Sequence, residues 1–199
     1  LRRWLFGYTQ TSGRLSAPLW QTQLTQTGQS VIGFRDLMEV RLVKAFVDKG
    51  VSIRVIRTAI ENARSVFNQD HPLTANRFLT DGASIFYEAT KHEENHGLTD
   101  LVKKQVVFES VIRPELYEGI EFSLEGNAKR WFPIPASKAV VLDPDLSFGK
   151  PVLTNYGIST DTIRSTFEAE GDKRTVAKIF DIPLQAVTMA LRYEDRLAP

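Results

Sequence analysis

Residues 33–67, GFRDLMEVRLVKAFVDKGVSIRVIRTAIENARSVF, carry two consecutive helical patterns. Apolar side chains recur at helical spacing in both halves, at Phe34, Leu37, Met38, Leu42, Val43 and Phe46 and then at Ile53, Ile56, Ile60, Ala63 and Phe67. Between the two halves, Gly50 is placed to end the first helix and Ser52 to cap the second. The stretch therefore predicts a helical hairpin with one apolar face on each helix.

The outer face of this hairpin is predicted to be basic. Its basic residues, Arg35, Arg41, Lys44, Lys49, Arg54, Arg57 and Arg64, outnumber Asp36, Glu39, Asp48 and Glu61. The formal net charge of +1 hides a gradient, because residues 1–66 hold ten Lys and Arg against four Asp and Glu, whereas residues 67–147 hold eight against thirteen. Such asymmetry favours a front end that meets polyanions, although a chance distribution of solvated faces would give the same counts.

The composition is that of an ordinary globular protein. With 199 residues, 42% apolar and 25% charged, the chain can form one large domain or two small ones. No apolar run approaches the roughly 18 residues that a membrane span needs, and no signal-peptide pattern is present, so we expect no membrane partner. The absence of cysteine excludes disulfides and thiolate zinc sites, and it fits a cytoplasmic location.

The residues before the hairpin predict a helix end followed by a small ribbon. LRRWLF at 1–6 and then Gly7 form the last turns of a helix with a glycine cap. Short strands are predicted at 17–21 and 30–33, on either side of the polar loop 22–29. This order of elements is that of a winged helix-turn-helix of the MerR type.

The middle of the chain alternates short elements. They are a turn at 81–82 with a strand at 83–88, a helix from about 100 to 116, a hairpin of strands 120–122 and 129–132, and a strand at 139–142. The loop 143–157 contains two prolines and two glycines and is the predicted domain boundary.

The end of the chain predicts three helices. The first begins at 159–161 and ends near Gly171, and the other two, 174–180 and 184–192, flank a tight turn. This spacing fits a helix-turn-helix core, in which Asp181 occupies the turn position where glycine is commoner.

Several segments together resemble VapB-like antitoxins of type II toxin–antitoxin pairs. They are LRRWLFGY (1–8), FRDLMEVRLVKAFVDKGVSIRVIRTAIENAR (34–64), HPLTANRFLTDGASIFYE (71–88), GNAKRWFPI (126–134) and LDPDLSFGKPVLTNYGISTDTI (142–163). The resemblance covers nearly the whole chain. In that family a MerR-like DNA-binding domain precedes a small helical domain. Its two helices before LRRW are missing here, so the helix-turn-helix is expected to be incomplete at its start.

The resemblance implies a fold that is mainly α with short β ribbons. The expected order is an incomplete MerR-like winged helix-turn-helix at 1–90, a small α+β linker region at 91–142 with a helix and a β-hairpin, and a three-helix, helix-turn-helix-like antitoxin domain at 143–199.

The implied function is that of a non-enzymatic antitoxin. It would neutralise a PIN-like ribonuclease toxin by direct binding and regulate its own operon by binding operator DNA. The alternative is a stand-alone MerR-like transcription regulator whose middle region senses a ligand or forms the dimer. Both interpretations predict a homodimer, because operators are commonly palindromic, and neither needs a cofactor.

Candidate DNA contacts fall into three groups. Arg2, Arg3 and Arg14 lie where a MerR-like wing would meet phosphate, and most base-reading side chains would precede Leu1. Arg41, Arg54 and Arg57 on the hairpin either contact DNA or form a solvated face. In the last helices Arg174, Lys178, Gln185 and Arg192 could reach DNA, but this region is neutral overall and a protein–protein role is at least as well supported.

Catalytic patterns are weak. His92-Glu93-Glu94-Asn95-His96 matches the HExxH of zinc proteases, but its flanks are polar and a convincing third ligand is missing, so a solvated loop is the better interpretation. Neither a GxSxG elbow nor a phosphate-cradling glycine loop occurs. Asp143 and Asp145 are better explained by a turn around Pro144 than by a magnesium site. We therefore expect no catalytic residues and no bound metal.

Overall fold

The structure is a computed structural model that describes residues 1–9, 11, 13–24, 31–91, 109 and 118–197. Contacts group the chain into two compact units. Unit 1 is Leu1–Tyr117 with Ser123–Ala128, and unit 2 is Glu118–Phe122 with Lys129–Pro199. Within the described ranges the chain is mainly helical with two small sheets, so the predicted general fold class is confirmed.

Unit 1 contains four helices and a two-stranded sheet within its described residues. In chain order they are α1 (Arg2–Phe6), β1 (Tyr8–Thr9), β2 (Leu15–Ser16), α2 (Phe34–Asp48), α3 (Ile53–Phe67) and α4 (Phe78–Lys91). The strands β1 and β2 are antiparallel, with Tyr8 opposite Ser16. We call these two strands and the loop between them the wing.

The predicted helical hairpin is confirmed as α2 and α3. Gly50, at φ +81°, lies two residues beyond the end of α2 at Asp48 and takes the left-handed conformation that lets the chain reverse. The hydroxyl of Ser52 accepts a hydrogen bond from the Val55 N–H at 3.3 Å and so caps α3. The apolar faces meet in one core, in which the ring of Phe46 stacks on Phe86 of α4 at 4.9 Å between centroids.

Two strand predictions in this unit are wrong. Residues 83–88, predicted as a strand, belong to α4, because Phe78, Ile85, Phe86 and Ala89 recur at helical spacing and are all buried. Residues 17–21 are not a strand either, since the ribbon forms earlier, between Tyr8–Thr9 and Leu15–Ser16. Of the second predicted strand, residues 31–33 have no regular structure and Ser30 lies outside the described residues.

A four-stranded sheet opens the described part of unit 2. Its strands are β3 (Ile120–Phe122), β4 (Ala128–Trp131), β5 (Val140–Leu142) and β6 (Pro151–Leu153), in that spatial order. The predicted hairpin and the strand at 139–142 are therefore confirmed. The sequence missed β6, which lies inside the loop 143–157 and pairs antiparallel with β5.

Three helices complete unit 2 as predicted. They are α5 (Thr160–Glu170), α6 (Lys173–Ile179) and α7 (Leu184–Leu197). Asp181, in the turn between α6 and α7, has φ +51°, the left-handed conformation for which glycine is the commoner residue. Val140, Leu153, Ile163, Val176 and Val187 form the centre of the core, where sheet and helices pack together.

Part of the sequence interpretation lies outside the described residues. The residues of the helix predicted at 100–116, apart from Glu109, are not among the described residues, and neither are His92 and His96. The division into domains at 1–90, 91–142 and 143–199 stays a prediction. In the described ranges, no helix has the length and apolarity needed to cross a membrane. Nor do the described residues bring three or more potential metal ligands together.

Candidate functional site

Helix α1 and the wing are tied together at the basic start of unit 1. Arg2 and Arg3 are exposed on α1, and the guanidinium of Arg3 lies 5.0 Å from the ring centroid of Tyr8 in β1. Gly7 joins the two elements at φ +70°, and a Cβ at this position would lie 2.5 Å from the carbonyl oxygen of Ser16. A side chain at residue 7 would therefore push α1 away from the wing. Arg14 is exposed immediately before β2.

Helix α3 holds the segment that follows the wing. The guanidinium of Arg57 donates two hydrogen bonds of 2.8 Å, from Nη1 to the carbonyl of Pro18 and from Nη2 to that of Ala17. The same segment is anchored to α1, because the N–H of Leu19 donates to the carbonyl of Trp4 at 2.8 Å. Arg57 thus positions α1 and the wing against α3, and its role as a DNA contact stays a prediction.

A buried polar network fixes this segment to α2. The carboxylate of Asp36 is fully buried and accepts hydrogen bonds from Trp20 Nε1 at 2.9 Å and from the backbone N–H groups of Gln23 and Gly33 at 3.0 and 2.9 Å. His71 Nε2 lies 2.9 Å from the same carboxylate. Burial raises the pKa of Asp36, but the hydrogen bonds from His71, Gly33, Trp20 and Gln23 outweigh it, so the pKa lies below its ordinary value.

Glu39 is the second buried acid of α2. Its Oε1 accepts from the N–H groups of Leu73 and Thr74 at 2.9 and 3.2 Å, whereas Oε2 has no hydrogen-bond partner among the described residues. Burial raises the pKa of Glu39 from 4.5 to about 8. The sequence placed Asp36 and Glu39 on a solvated outer face. That placement is wrong, because their partners are distant in the sequence and bring both carboxyl groups into the interior.

A groove of about 790 Å³ runs between α1, the segment after the wing and α3. It brings together two of the predicted site residues, Arg2 and Arg57, and it adds Arg64, which the sequence did not single out as a site residue. The signal for Arg64 was available, because Arg57, Glu61 and Arg64 recur at i, i+4 and i+7 and so share one face of α3.

The other candidates of unit 1 do not line this groove. Arg54 is exposed in the first turn of α3. Arg41 is half-buried on α2, with Nη1 3.9 Å from the sulfur of Met38. Arg54 therefore keeps its place among the candidate phosphate contacts, and Arg41 is the less accessible of the two.

The candidates of unit 2 are all exposed. Arg174 and Lys178 lie four residues apart on α6, and Gln185 and Arg192 lie on α7. Acidic groups accompany them in this unit, since Arg164 of α5 pairs with Glu168 at 2.9 Å and with Asp195 of α7 at 2.5 Å. The face formed by α5 and α7 is thus one of mixed charge.

Exposed apolar side chains mark the surface of unit 2. Ile179 and Leu184 flank the turn between α6 and α7 and are 53% and 43% exposed. Phe148 is fully exposed in a turn where Ser147, Phe148 and Gly149 all have positive φ. Apolar groups at these positions are scattered singly over the surface and add little to the core of this unit.

The described structure is a mainly helical protein of two compact units, with exposed arginines at the start of the first unit and mixed charge on the helices of the second. Comparison with known proteins gives no matching protein-family model and no matching curated protein. Among solved structures, the crystal structure of Rv2018 from Mycobacterium tuberculosis is similar, with a TM-score of 0.66. The two sequences are 21% identical over 87% of this chain and 85% of that one. The likeness shows a shared fold.

Proposed function

We propose that the protein is a non-enzymatic antitoxin that binds a PIN-like ribonuclease toxin and the operator DNA of its own operon. The observation that carries the DNA-binding part is the arrangement of α1 and the wing. Gly7, the contact between Arg3 and Tyr8, and the bonds of Arg57 hold them as one piece from which Arg2, Arg3 and Arg14 extend into solvent. In this proposal unit 1 is a MerR-like winged helix-turn-helix domain.

Exposed arginines on a fixed frame suit the DNA backbone. Each neutralised phosphate releases counterions, so contacts of this kind set affinity and salt dependence rather than sequence choice. Arg54 would add a contact from the start of α3. A homodimer would place two such surfaces on a palindromic operator, with the protein acting in the cytoplasm.

Unit 2 supplies the toxin-binding part of the proposal. The helices α5, α6 and α7 form its antitoxin domain, with Ile179 and Leu184 as apolar contacts and a mixed-charge rim. Inhibition would be steric, because a helical unit seated over the toxin's active site excludes RNA. Arg174, Lys178, Gln185 and Arg192 then contact either the toxin or DNA.

Co-expression with the product of the adjacent gene tests the toxin-binding part. We expect a complex that survives purification and a recovery of growth in cells that express the neighbouring protein. If the two proteins neither form a complex nor restore growth, the antitoxin proposal fails.

A stand-alone MerR-like transcription regulator is the second candidate, and the groove lined by Arg2, Arg57 and Arg64 favours it, since regulators of transcription commonly carry a pocket for an effector. Binding assays with the promoter fragment and with the neighbouring protein distinguish the two candidates. A regulator binds its promoter fragment and does not interact with the neighbouring protein, whereas an antitoxin interacts with both.

A further inference from the structure

The groove of unit 1 has one apolar and one cationic side. Its apolar lining comes from Leu5, Phe6, Pro18, Leu19, Trp20 and Leu24. Its charged lining, among the described residues, consists of three arginines and Glu61, which leaves two positive charges in excess. A volume of about 790 Å³ lies within the range of roughly 300–1,000 Å³ that small-molecule sites occupy.

The three arginines are not equivalent. Both Nη groups of Arg57 are used, because they donate to the carbonyls of Ala17 and Pro18. Arg64 differs, since its Nε and Nη2 are shielded from solvent and have no hydrogen-bond acceptor within the described part of the chain. A buried donor without an acceptor is costly, and in a native protein it usually has a water, an ion or a ligand as its partner. Arg64 is therefore the member of the set with shielded donors that lack an acceptor among the described residues, whereas Arg2 is exposed to water.

We propose that this groove binds a small organic anion with an apolar body. The anionic group, a carboxylate, sulfonate or phosphate, accepts hydrogen bonds from Arg64 and is attracted by Arg2, and the apolar body packs against Leu5, Leu19 and Trp20. A purely apolar ligand would leave the guanidinium of Arg64 unsatisfied. A small inorganic ion would leave the apolar walls uncovered. An amphipathic anion satisfies both sides of the groove.

A ligand bound in the groove would also affect the proposed DNA-binding surface. Helix α1 forms one wall through Arg2, Leu5 and Phe6, and the same helix presents Arg3. A ligand that fixes α1 would therefore change the affinity for DNA. This consequence rests on the proposed function, whereas binding of the anion does not.

The test uses two fluorescent probes of similar shape and different charge. Anilinonaphthalene sulfonate is an apolar anion, and N-phenyl-1-naphthylamine lacks the sulfonate. We expect the full chain to bind the sulfonate probe saturably at one site. Arg64→Met should weaken binding of this probe at least tenfold and change binding of the neutral probe less than twofold. Lys49→Met, at an exposed residue that does not line the groove, should change neither.

Displacement identifies the ligand class. Octanoate should displace the sulfonate probe, and octanol and inorganic phosphate should displace it at least tenfold less well. Equal binding of the probe by Arg64→Met and the unsubstituted protein would overturn the proposal, as would displacement by phosphate alone.

Melting temperatures report whether each variant is folded. If Arg64→Met does not fold, Arg2→Gln carries the same expectation with a smaller loss. Neither DNA nor toxin is present, so the outcome is independent of the proposed function.

Discussion

Asp36 and Glu39 lie one turn apart on α2, both fully buried, and at neutral pH they are expected in opposite charge states. Asp36 is ionised, because it accepts hydrogen bonds from His71 and three other groups that favour the carboxylate. Glu39 is neutral, because burial raises its pKa to about 8 and its Oε2 has no partner within the described residues. Of these two buried acids, Asp36 therefore carries the negative charge, and its carboxylate faces His71.

Replacing Asp36 by Asn tests how much this hydrogen-bond network contributes to the free energy of unfolding. The change removes the charge and two of the acceptor sites on which Trp20, His71 and the backbone of Gln23 and Gly33 converge, so we expect a loss of about 3 kcal/mol in the free energy of unfolding. Urea denaturation followed by tryptophan fluorescence measures it. The matched control is Asp48→Asn on the same helix, where the exposed pair with Lys44 contributes less than about 0.5 kcal/mol. Equal losses in the two variants would contradict the expectation.

Glu39 makes stability depend on pH. In the folded state Glu39 keeps its proton up to about pH 8, whereas in the unfolded state it loses the proton near pH 4.5. The contribution of Glu39 to the free energy of unfolding is therefore fully present below pH 4.5 and is lost as the pH rises to 8. Glu39→Gln removes this dependence. Relative to the unsubstituted protein, the variant should gain up to about 1.4 kcal/mol per pH unit across that window, measured by denaturation between pH 5 and 9. A stability difference independent of pH would show that Glu39 is not buried as the neutral acid.

Neither acid could be placed from the sequence. On the helical pattern of 33–67, both fall among charged neighbours such as Arg35 and Arg41. Their burial follows from Trp20, His71 and the backbone at Leu73 and Thr74, which are between 16 and 35 residues away. Local periodicity holds no information about such partners. The exposed positions of Arg2, Arg3 and Arg14 were easier to predict, because exposure at a chain end or next to a turn is a local property.

At the scale of elements, local signals succeeded where they agreed with one another. The hairpin α2–α3 combines an apolar stripe, Gly50 and the cap of Ser52, and all three are confirmed. The prediction of a strand within α4 was wrong because Asp81-Gly82 has the sequence of a turn and is followed by the β-favouring residues Ile85, Phe86 and Tyr87. Packing of Phe78, Ile85 and Phe86 into the core outweighs both local preferences.

The junction of α1 and the wing depends on Gly7. Gly7→Ala places a Cβ 2.5 Å from the carbonyl of Ser16, whereas Gly13, with a similar φ of +78°, has nothing within 4 Å. Gly13→Ala carries the strain of a positive φ, about 1–2 kcal/mol, whereas Gly7→Ala adds the clash and the strain of a backbone conformation, at ψ −175°, that is essentially confined to glycine. We expect Gly7→Ala to cost about 2 kcal/mol more than Gly13→Ala, with lower affinity for operator DNA. Thermal denaturation and gel retardation measure the two effects, and similar results for both variants would contradict this account of the junction.

At the scale of the whole molecule, the division into two units separates the two proposed activities. The proposed DNA contacts Arg2, Arg3 and Arg14 lie in unit 1, and the proposed toxin contacts Ile179 and Leu184 lie in unit 2, so the two sets can change independently. The sequence predicted α2 and α3 of unit 1 and the three helices of unit 2, but it did not predict α4. It did not predict β6, because a three-residue strand between prolines and glycines has almost no periodicity.

The double substitution Arg2→Gln with Arg3→Gln should separate these activities. Loss of two phosphate contacts is expected to make the slope of log affinity against log salt less steep by about 1.8 and to leave neutralisation of the toxin unchanged. Gel retardation over a range of salt concentrations and growth rescue in co-expression are the two measurements. Lys49→Gln, outside the proposed surface, should alter neither. Loss of growth rescue in the double variant would argue against a division of roles.

The path of the chain through the two units has a consequence for synthesis. The chain leaves unit 1 at Glu118, returns to it at Ser123 and leaves it again after Ala128. An antiparallel bridge between Ala75 and Asn127 joins the returning segment to the rest of unit 1. On the ribosome, unit 1 therefore stays unfinished until residue 128 has emerged, by which time the first strand of unit 2 is already outside. A nascent chain halted at residue 117 lacks the last piece of its own first unit, so the two units are expected to mature together rather than in succession.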